Sequence, residues 1–280
     1  TTGQITGLDI SPDGATVATT TVEDPDGDWG ELAVWDAASG RHEATIVKHP
    51  TLLGSVAFSS DGTRLAAAAC SATLAGGVWN LDEESFDLII PEARCGQEIA
   101  LSSDAALVAV DTEDEDEPNV QVWEVATAEL VTAVRHTAMW RGGLDFSPDD
   151  TRLVSGGVDG AARVWDVATG ELVVALTGHT GPVEAVTYTP DGSRIITSSS
   201  DGTVRAWAAD SGEMLLVLSG HDGFAHLSIS PDGRHLLTSD GTMARVWTLD
   251  NDELRTLAEE RLTRGLTAAE CETYHVEDCS

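Results

Sequence analysis

The stretch GHTGPVEAVTYTPDGSRIITSSSDGTVRAWAADSGEMLLVLSG, residues 178–220, decides the fold. Val183–Thr189 carries apolar Val183, Val186 and Tyr188 with small Ala185, and reads as a short, mostly buried strand. Pro190-Asp191-Gly192 then reverses the chain, because Pro presets φ and Gly accepts a positive one. Arg194–Ser198 is a second strand, and Asp201-Gly202 is a tight hairpin turn. Thr203–Trp207 alternates as a third strand, with Val204 and Ala206 opposite Thr203, Arg205 and Trp207. Ser211-Gly212 turns again and Glu213–Leu218 is the fourth. Such a four-stranded sheet cannot bury both faces alone, so copies of it pack radially.

Copies are present on both sides. A related turn recurs as Ser11-Pro12-Asp13-Gly14, Ser59-Ser60-Asp61-Gly62, Ser102-Ser103-Asp104-Ala105, Ser147-Pro148-Asp149-Asp150, Thr189-Pro190-Asp191-Gly192 and Ser230-Pro231-Asp232-Gly233. A tryptophan follows each one: Trp35, Trp79, Trp123, Trp165, Trp207 and Trp247. Two independent markers keep one period of forty-odd residues. The expected fold is all-β: a β-propeller with six visible four-stranded blades over residues 1–250, then a short helical tail over 251–280.

The units resemble WD repeats, whose signature runs Gly-His, Ser/Thr, Asp-Gly and Trp-Asp. The fifth matches best, with Gly178-His179, Thr197, Asp201 and Trp207. The fourth has His136, Ser155, Asp159, Trp165 and Asp166, with Arg135 in place of Gly; the sixth has Gly220-His221, Thr238, Asp240 and Trp247. The resemblance implies a hydrogen-bond relay across each blade, which makes these histidines structural rather than catalytic. Asp240 lies one residue further from its tryptophan than Asp201 does. The second unit keeps His49 and Trp79 but has Ala69 and Thr73 where the relay wants Ser and Asp. The first and third lack the His, Cys95 standing near the third's position. These departures are expected to weaken those relays.

The charge balance narrows the partners. Fifteen basic residues face 48 acidic ones, a net charge of −33. A field of that sign repels phosphate backbones, so direct nucleic-acid binding is not expected. It fits a solubilising surface, or an acidic face for a basic partner. Two loops between second and third strands are enlarged and acidic. Thr21–Gly30 carries Glu23, Asp24, Asp26, Asp28 and Trp29; Asp111–Asn119 carries Glu113, Asp114, Glu115, Asp116 and Glu117. In the family such loops share a face with the links between blades. They form either solvated loops or a docking rim for a basic protein or peptide, with Trp29 as anchor. Trp140, in the link into the fourth blade, serves packing or the same rim. Asp24-Pro25-Asp26-Gly27-Asp28 has carboxylates at alternate positions, as calcium loops do, but lacks the downstream bidentate Glu. No metal or other cofactor is expected.

No apolar run approaches the roughly 20 residues of a membrane span, and Thr1–Ile10 does not read as a signal peptide. The sequence lacks an initiator Met and reads as part of a longer protein. Cys70 and Cys95 read as small buried hydrophobes. After residue 250 the period changes. Leu254, Leu257, Ala258, Arg261 and Leu262 share a helical face, Gly265 stops it, and Thr267 with Glu270 caps a second short helix. A strand over Glu253–Ala258 is the alternative. A helical tail leaves the sixth blade in need of a fourth strand from elsewhere, and a seventh blade could precede the six. Cys271 and Cys279 could form a disulfide, join a metal with His275, or stay free.

The stretch from Arg261 to Tyr274, ending at Cys279, resembles the tails of large bacterial signalling proteins that place a WD-repeat propeller after a STAND-type NTPase. That resemblance implies a cytoplasmic sensor whose upstream domains respond. The expected function is a non-enzymatic scaffold or sensor binding protein or peptide. An enzyme on a propeller frame and a purely architectural domain are the alternatives. No Ser/His/Asp or paired-carboxylate set stands out.

Overall fold

The computed structural model describes residues 4–22, 29–49, 52–70, 74–91, 97–112, 120–135, 142–223 and 225–249. Blade 1 comprises β1 (Gln4–Ile10), β2 (Thr16–Val22), β3 (Gly30–Asp36) and β4 (His42–His49). Blade 2 comprises β5 (Leu52–Phe58), β6 (Arg64–Cys70), β7 (Leu74–Asn80) and β8 (Ser85–Pro91). Blade 3 comprises β9 (Ile99–Leu101), β10 (Leu107–Asp111), β11 (Val120–Glu124) and β12 (Leu130–Val134). Blade 4 comprises β13 (Leu144–Phe146), β14 (Arg152–Ser155), β15 (Ala161–Asp166) and β16 (Leu172–Thr177). Blade 5 comprises β17 (Val183–Tyr188), β18 (Arg194–Ser199), β19 (Thr203–Ala208) and β20 (Met214–Ser219). Blade 6 comprises β21 (His226–Ile229), β22 (His235–Ser239) and β23 (Ala244–Thr248). Strands follow chain order within every sheet. The described residues contain no helix, and the chain is an all-β, six-bladed propeller. The expected tail helices, Cys271 and Cys279 lie outside the described residues, as does the proposed domain boundary.

The recurring turn explains each β1–β2 type hairpin. In all six, the first residue's hydroxyl donates to the Asp two places on: Ser11 to Asp13 at 2.6 Å, and likewise Ser59–Asp61, Ser102–Asp104, Ser147–Asp149, Thr189–Asp191 and Ser230–Asp232. The same hydroxyl oxygen accepts the amide five places on, as in Arg194 N to Thr189 Oγ1 at 3.0 Å. One side chain thereby pairs both a carboxylate and a buried strand amide. The fourth position has positive φ, 69° at Gly192, which glycine takes at no steric cost. Ala105 and Asp150 hold it too, at 56° and 59°.

Packing runs from blade to blade. Five buried clusters each join two consecutive blades; one sets Val154, Ala162 and Val164 of blade 4 against Val183, Val186, Tyr188, Ile195 and Trp207 of blade 5. Burying each such aliphatic side chain is worth about 1.5–3 kcal/mol. The third strand therefore alternates, with Val204 and Ala206 turned to the next blade.

One reading changes. Cys70, at the end of β6, is disulfide-bonded rather than a free buried hydrophobe. Its partner lies outside the described residues, since Cys95, Cys271 and Cys279 all do.

Candidate functional site

In blade 5 the structure brings four side chains into one chain of hydrogen bonds. Trp207 Nε1 donates to Thr197 Oγ1 at 2.9 Å; Thr197 Oγ1 meets His179 Nε2 at 2.8 Å; His179 Nδ1 meets Asp201 Oδ2 at 3.1 Å. A carboxylate only accepts, so Nδ1 carries the proton and Nε2 accepts from the Thr hydroxyl. Burial lowers the His179 pKa, against the raising effect of Asp201, so the ring stays neutral at pH 7. Burial raises Asp201, but hydrogen bonds from Thr203, Thr180 and His179 outweigh it and hold the carboxyl well below its usual range.

Blade 6 forms the same chain. His221 meets Asp240 at 3.0 Å and Thr238 at 2.8 Å, and Trp247 Nε1 donates to Thr238 Oγ1 at 2.8 Å. The extra residue between Asp240 and Trp247 therefore does not open this relay. The turn widens instead: the Asp240 amide donates to the Met243 carbonyl at 3.2 Å, and Asp240 Oδ1 accepts the amides of both Thr242 and Met243.

Elsewhere the set is partial. In blade 4, Trp165 Nε1 donates to Ser155 Oγ at 2.8 Å, while Asp159 pairs with Arg163 at 2.5 Å. His136 lies outside the described residues. In blade 1, Trp35 Nε1 donates to Thr19 Oγ1 at 2.8 Å. Sequence reading missed Thr19, although it stands eight residues after its turn hydroxyl, as Ser155, Thr197 and Thr238 do. In blade 2 that place belongs to Ala67, not Ala69, since Leu65 pairs with Trp79 just as Ile195 pairs with Trp207. Thr73 and Cys95 lie outside the described residues, and so does the side chain of His49. The indole of Trp123 donates instead to Gln121 at 3.1 Å.

Strand register fixes where the acidic insertions attach. Val22 pairs with both Gln4 and Gly30, and Gly30 pairs with His49, so the β2–β3 loop opens on the end where blades are linked. The β10–β11 loop opens on the same end, between Asp111 and Val120. Trp29 is exposed there, just ahead of β3. Asp24, Asp26, Asp28, Glu113, Asp114, Glu115, Asp116, Glu117 and Trp140 lie outside the described residues. At the foot of the blade 3 insertion, Asp111 Oδ1 accepts the amides of Gln97 at 2.6 Å and Glu98 at 2.8 Å. Burial pushes the neighbouring Glu98 carboxyl up to about 7, opposed by a hydrogen bond from Ser55.

Among the described residues no cluster of His, Cys, Asp and Glu could hold a metal ion, and no helix is long and apolar enough to cross a membrane. The WD domain, G-beta repeat family matches residues 130–166, 170–208 and 212–248. Human apoptotic protease-activating factor 1 is 29% identical over 143 residues, covering 46% of this chain and 11% of that protein. The chain thus spans about a tenth of the curated relative it matches. Period, relay and family match agree on a β-propeller whose residues 130–248 match the WD family and whose other blades resemble those repeats, with a likeness to the C-terminal domains of STAND-type proteins.

Proposed function

We propose that this propeller is a non-catalytic platform that binds a basic protein or peptide on the rim where its blades are linked. The observation that carries the reading is the register that attaches both acidic insertions, and exposed Trp29, to that one rim. An exposed indole on the rim that carries both acidic insertions suits lysine- or arginine-bearing segments. The histidines of blades 5 and 6 have both ring nitrogens engaged in the relay, which suits a role in fixing strand register and leaves them no acid–base part.

The same reading makes the propeller the sensing part of a larger bacterial signalling protein. The sensing role has support in the likeness to a human activating factor, matched over a small share of that protein's length, and the bacterial context rests on the resemblance of the stretch from Arg261 to Tyr274. A cytoplasmic setting goes with that context, whereas the Cys70 disulfide favours an oxidising one. The redox state of Cys70 in the source cell decides between them.

The test is affinity capture from the source cell by the parent chain and by a chain with Asp114, Glu115, Asp116 and Glu117 each changed to Lys. Selective loss of a captured protein in the variant supports the acidic rim. Equal capture by both chains dismisses it.

A further inference from the structure

An Asp-Gly step can rearrange when the glycine amide nitrogen attacks the aspartate Cγ, since a glycine places no Cβ in the path of the attack. The chain has nine such steps, of which Asp26-Gly27 lies outside the described residues. The other eight differ in what holds the two reacting groups. Asp13, Asp61, Asp191 and Asp232 sit in the recurring turns and accept both the turn hydroxyl and the amide two places on. The glycine amide is engaged as well: Gly14, Gly62, Gly192 and Gly233 each donate to the carbonyl three places back, at 2.8–2.9 Å. Asp159, Asp201 and Asp240 sit between second and third strands. Asp159 accepts from Arg163 and from the Ala161 amide. Asp201 and Asp240 each meet a relay histidine on Oδ2 and accept a backbone amide on Oδ1.

Asp222-Gly223, in the link into blade 6, is the exception. The Asp222 side chain is exposed, and among the described residues its carboxylate accepts no hydrogen bond and joins no ion pair. Only its amide is engaged, donating to Asp240 Oδ2 at 3.3 Å. The Gly223 amide has no acceptor among the described residues either. Gly223 holds φ 127°, and a side chain there would meet nothing within 4 Å, so a ring has room to close. At the other steps the carboxylate must first shed its hydrogen bonds. Each charge-assisted bond lost slows the reaction by roughly tenfold.

We infer that Asp222-Gly223 is a modification site, the step at which the folded chain converts aspartate to isoaspartate. A bond forms between Gly223 N and Asp222 Cγ. One carboxyl oxygen leaves as water, taking the carboxyl proton and the amide proton, and a succinimide remains. Water then opens the ring. Breaking the N–Cγ bond restores aspartate. Breaking the original peptide bond instead leaves the main chain running through Cγ, one methylene longer. No oxidant or cofactor enters. The added methylene falls directly after His221, whose ring spans Thr238 and Asp240.

Aged samples of the 1–280 chain, one folded in slightly acidic buffer and one unfolded in urea, test this. Endoproteinase Asp-N cuts before aspartate but not before isoaspartate, so peptide mapping counts the product at each of the eight steps. The urea sample, in which every step is free, supplies the reference rates. Relative to its own urea rate, Asp222 in the folded chain should exceed each of the other seven by at least about tenfold. A smaller excess, or no product at Asp222 once the urea sample has converted, overturns the inference. Asp222→Asn reads ring closure itself, because the amide leaves as ammonia and a carboxyl replaces it. The folded variant should lose that amide within about tenfold of its rate in urea. Slower loss means that the fold holds Gly223 N away from Cγ, and overturns it.

Discussion

Asp145 of blade 4 accepts the Tyr188 amide of blade 5 at 2.7 Å, across the seam between the two sheets. Asp9 does the same for Phe58, from blade 1 to blade 2, also at 2.7 Å. Each aspartate sits one residue before a strand's last apolar side chain and binds the neighbouring blade directly.

This clasp carries a pH signature. Burial pushes the Asp145 carboxyl up to about 6, opposed by hydrogen bonds from Tyr188, Thr187 and Phe146. A folded pKa above the unfolded one means the folded state binds the proton more tightly. Stability from this group is therefore present at low pH and lost as pH rises from about 4 to 6. Glu98, raised to about 7, extends the trend upward. Asp145→Asn keeps an acceptor for Tyr188 and removes the titration. Urea unfolding at pH 4.5 and 7 should show the variant gaining about 1–2 kcal/mol on the parent over that range, discounted for partial exposure. Parallel profiles would contradict the clasp's charge state.

The relay predicts a ranking. Thr197→Val leaves the Trp207 indole N–H and His179 Nε2 unpaired in a buried site, at a cost of about 2–3 kcal/mol. Thr19→Val strips only the Trp35 contact, and should cost about 1 kcal/mol or less. Chemical denaturation ranks them; equal costs would mean that blade 5 has no coupled network.

The fourth turn position predicts opposite signs for one substitution. Ala105 holds φ 56°, a strain that the burial of its small methyl offsets only in part, so Ala105→Gly should stabilise by less than about 1 kcal/mol. Asp150 holds φ 59°, but its carboxylate accepts from Ser103 N at 2.7 Å and Ser103 Oγ at 2.6 Å, in the blade before it. Asp150→Gly should destabilise by about 1 kcal/mol. Thermal melts of the two variants moving in the same direction would refute the distinction.

Cys70→Ala, or reduction with dithiothreitol, should lower stability by about 2–4 kcal/mol. Mass spectrometry of an unreduced digest checks the bond; a Cys70 peptide found only as free thiol would disprove it.

Much of this fold was legible because two signals are local. The hydroxyl-to-Asp turn and the third-strand tryptophan each act within a dozen residues, so their period survives in the sequence. Seam chemistry was not legible. Asp9 and Asp145 look like ordinary polar residues in strands, and only radial stacking brings Phe58 and Tyr188 to them. The blade 6 relay was misread because spacing to Trp247 was taken as rigid, while the Asp240 turn widens to absorb a residue. Cys70 was misread because a disulfide depends on which cysteine the fold brings beside it, and the spacing of the four cysteines does not show that. The acidic insertions were legible as composition, and register shows only where they attach.

Hydrogen–deuterium exchange of the chain alone and bound to the protein recovered by capture tests the binding rim most directly. Slowed exchange is expected across residues 22–30 and 111–120, with none at the turns beginning at Ser11, Ser59 and Ser102 on the opposite end. Protection at those turns, with the acidic insertions unchanged, would contradict it.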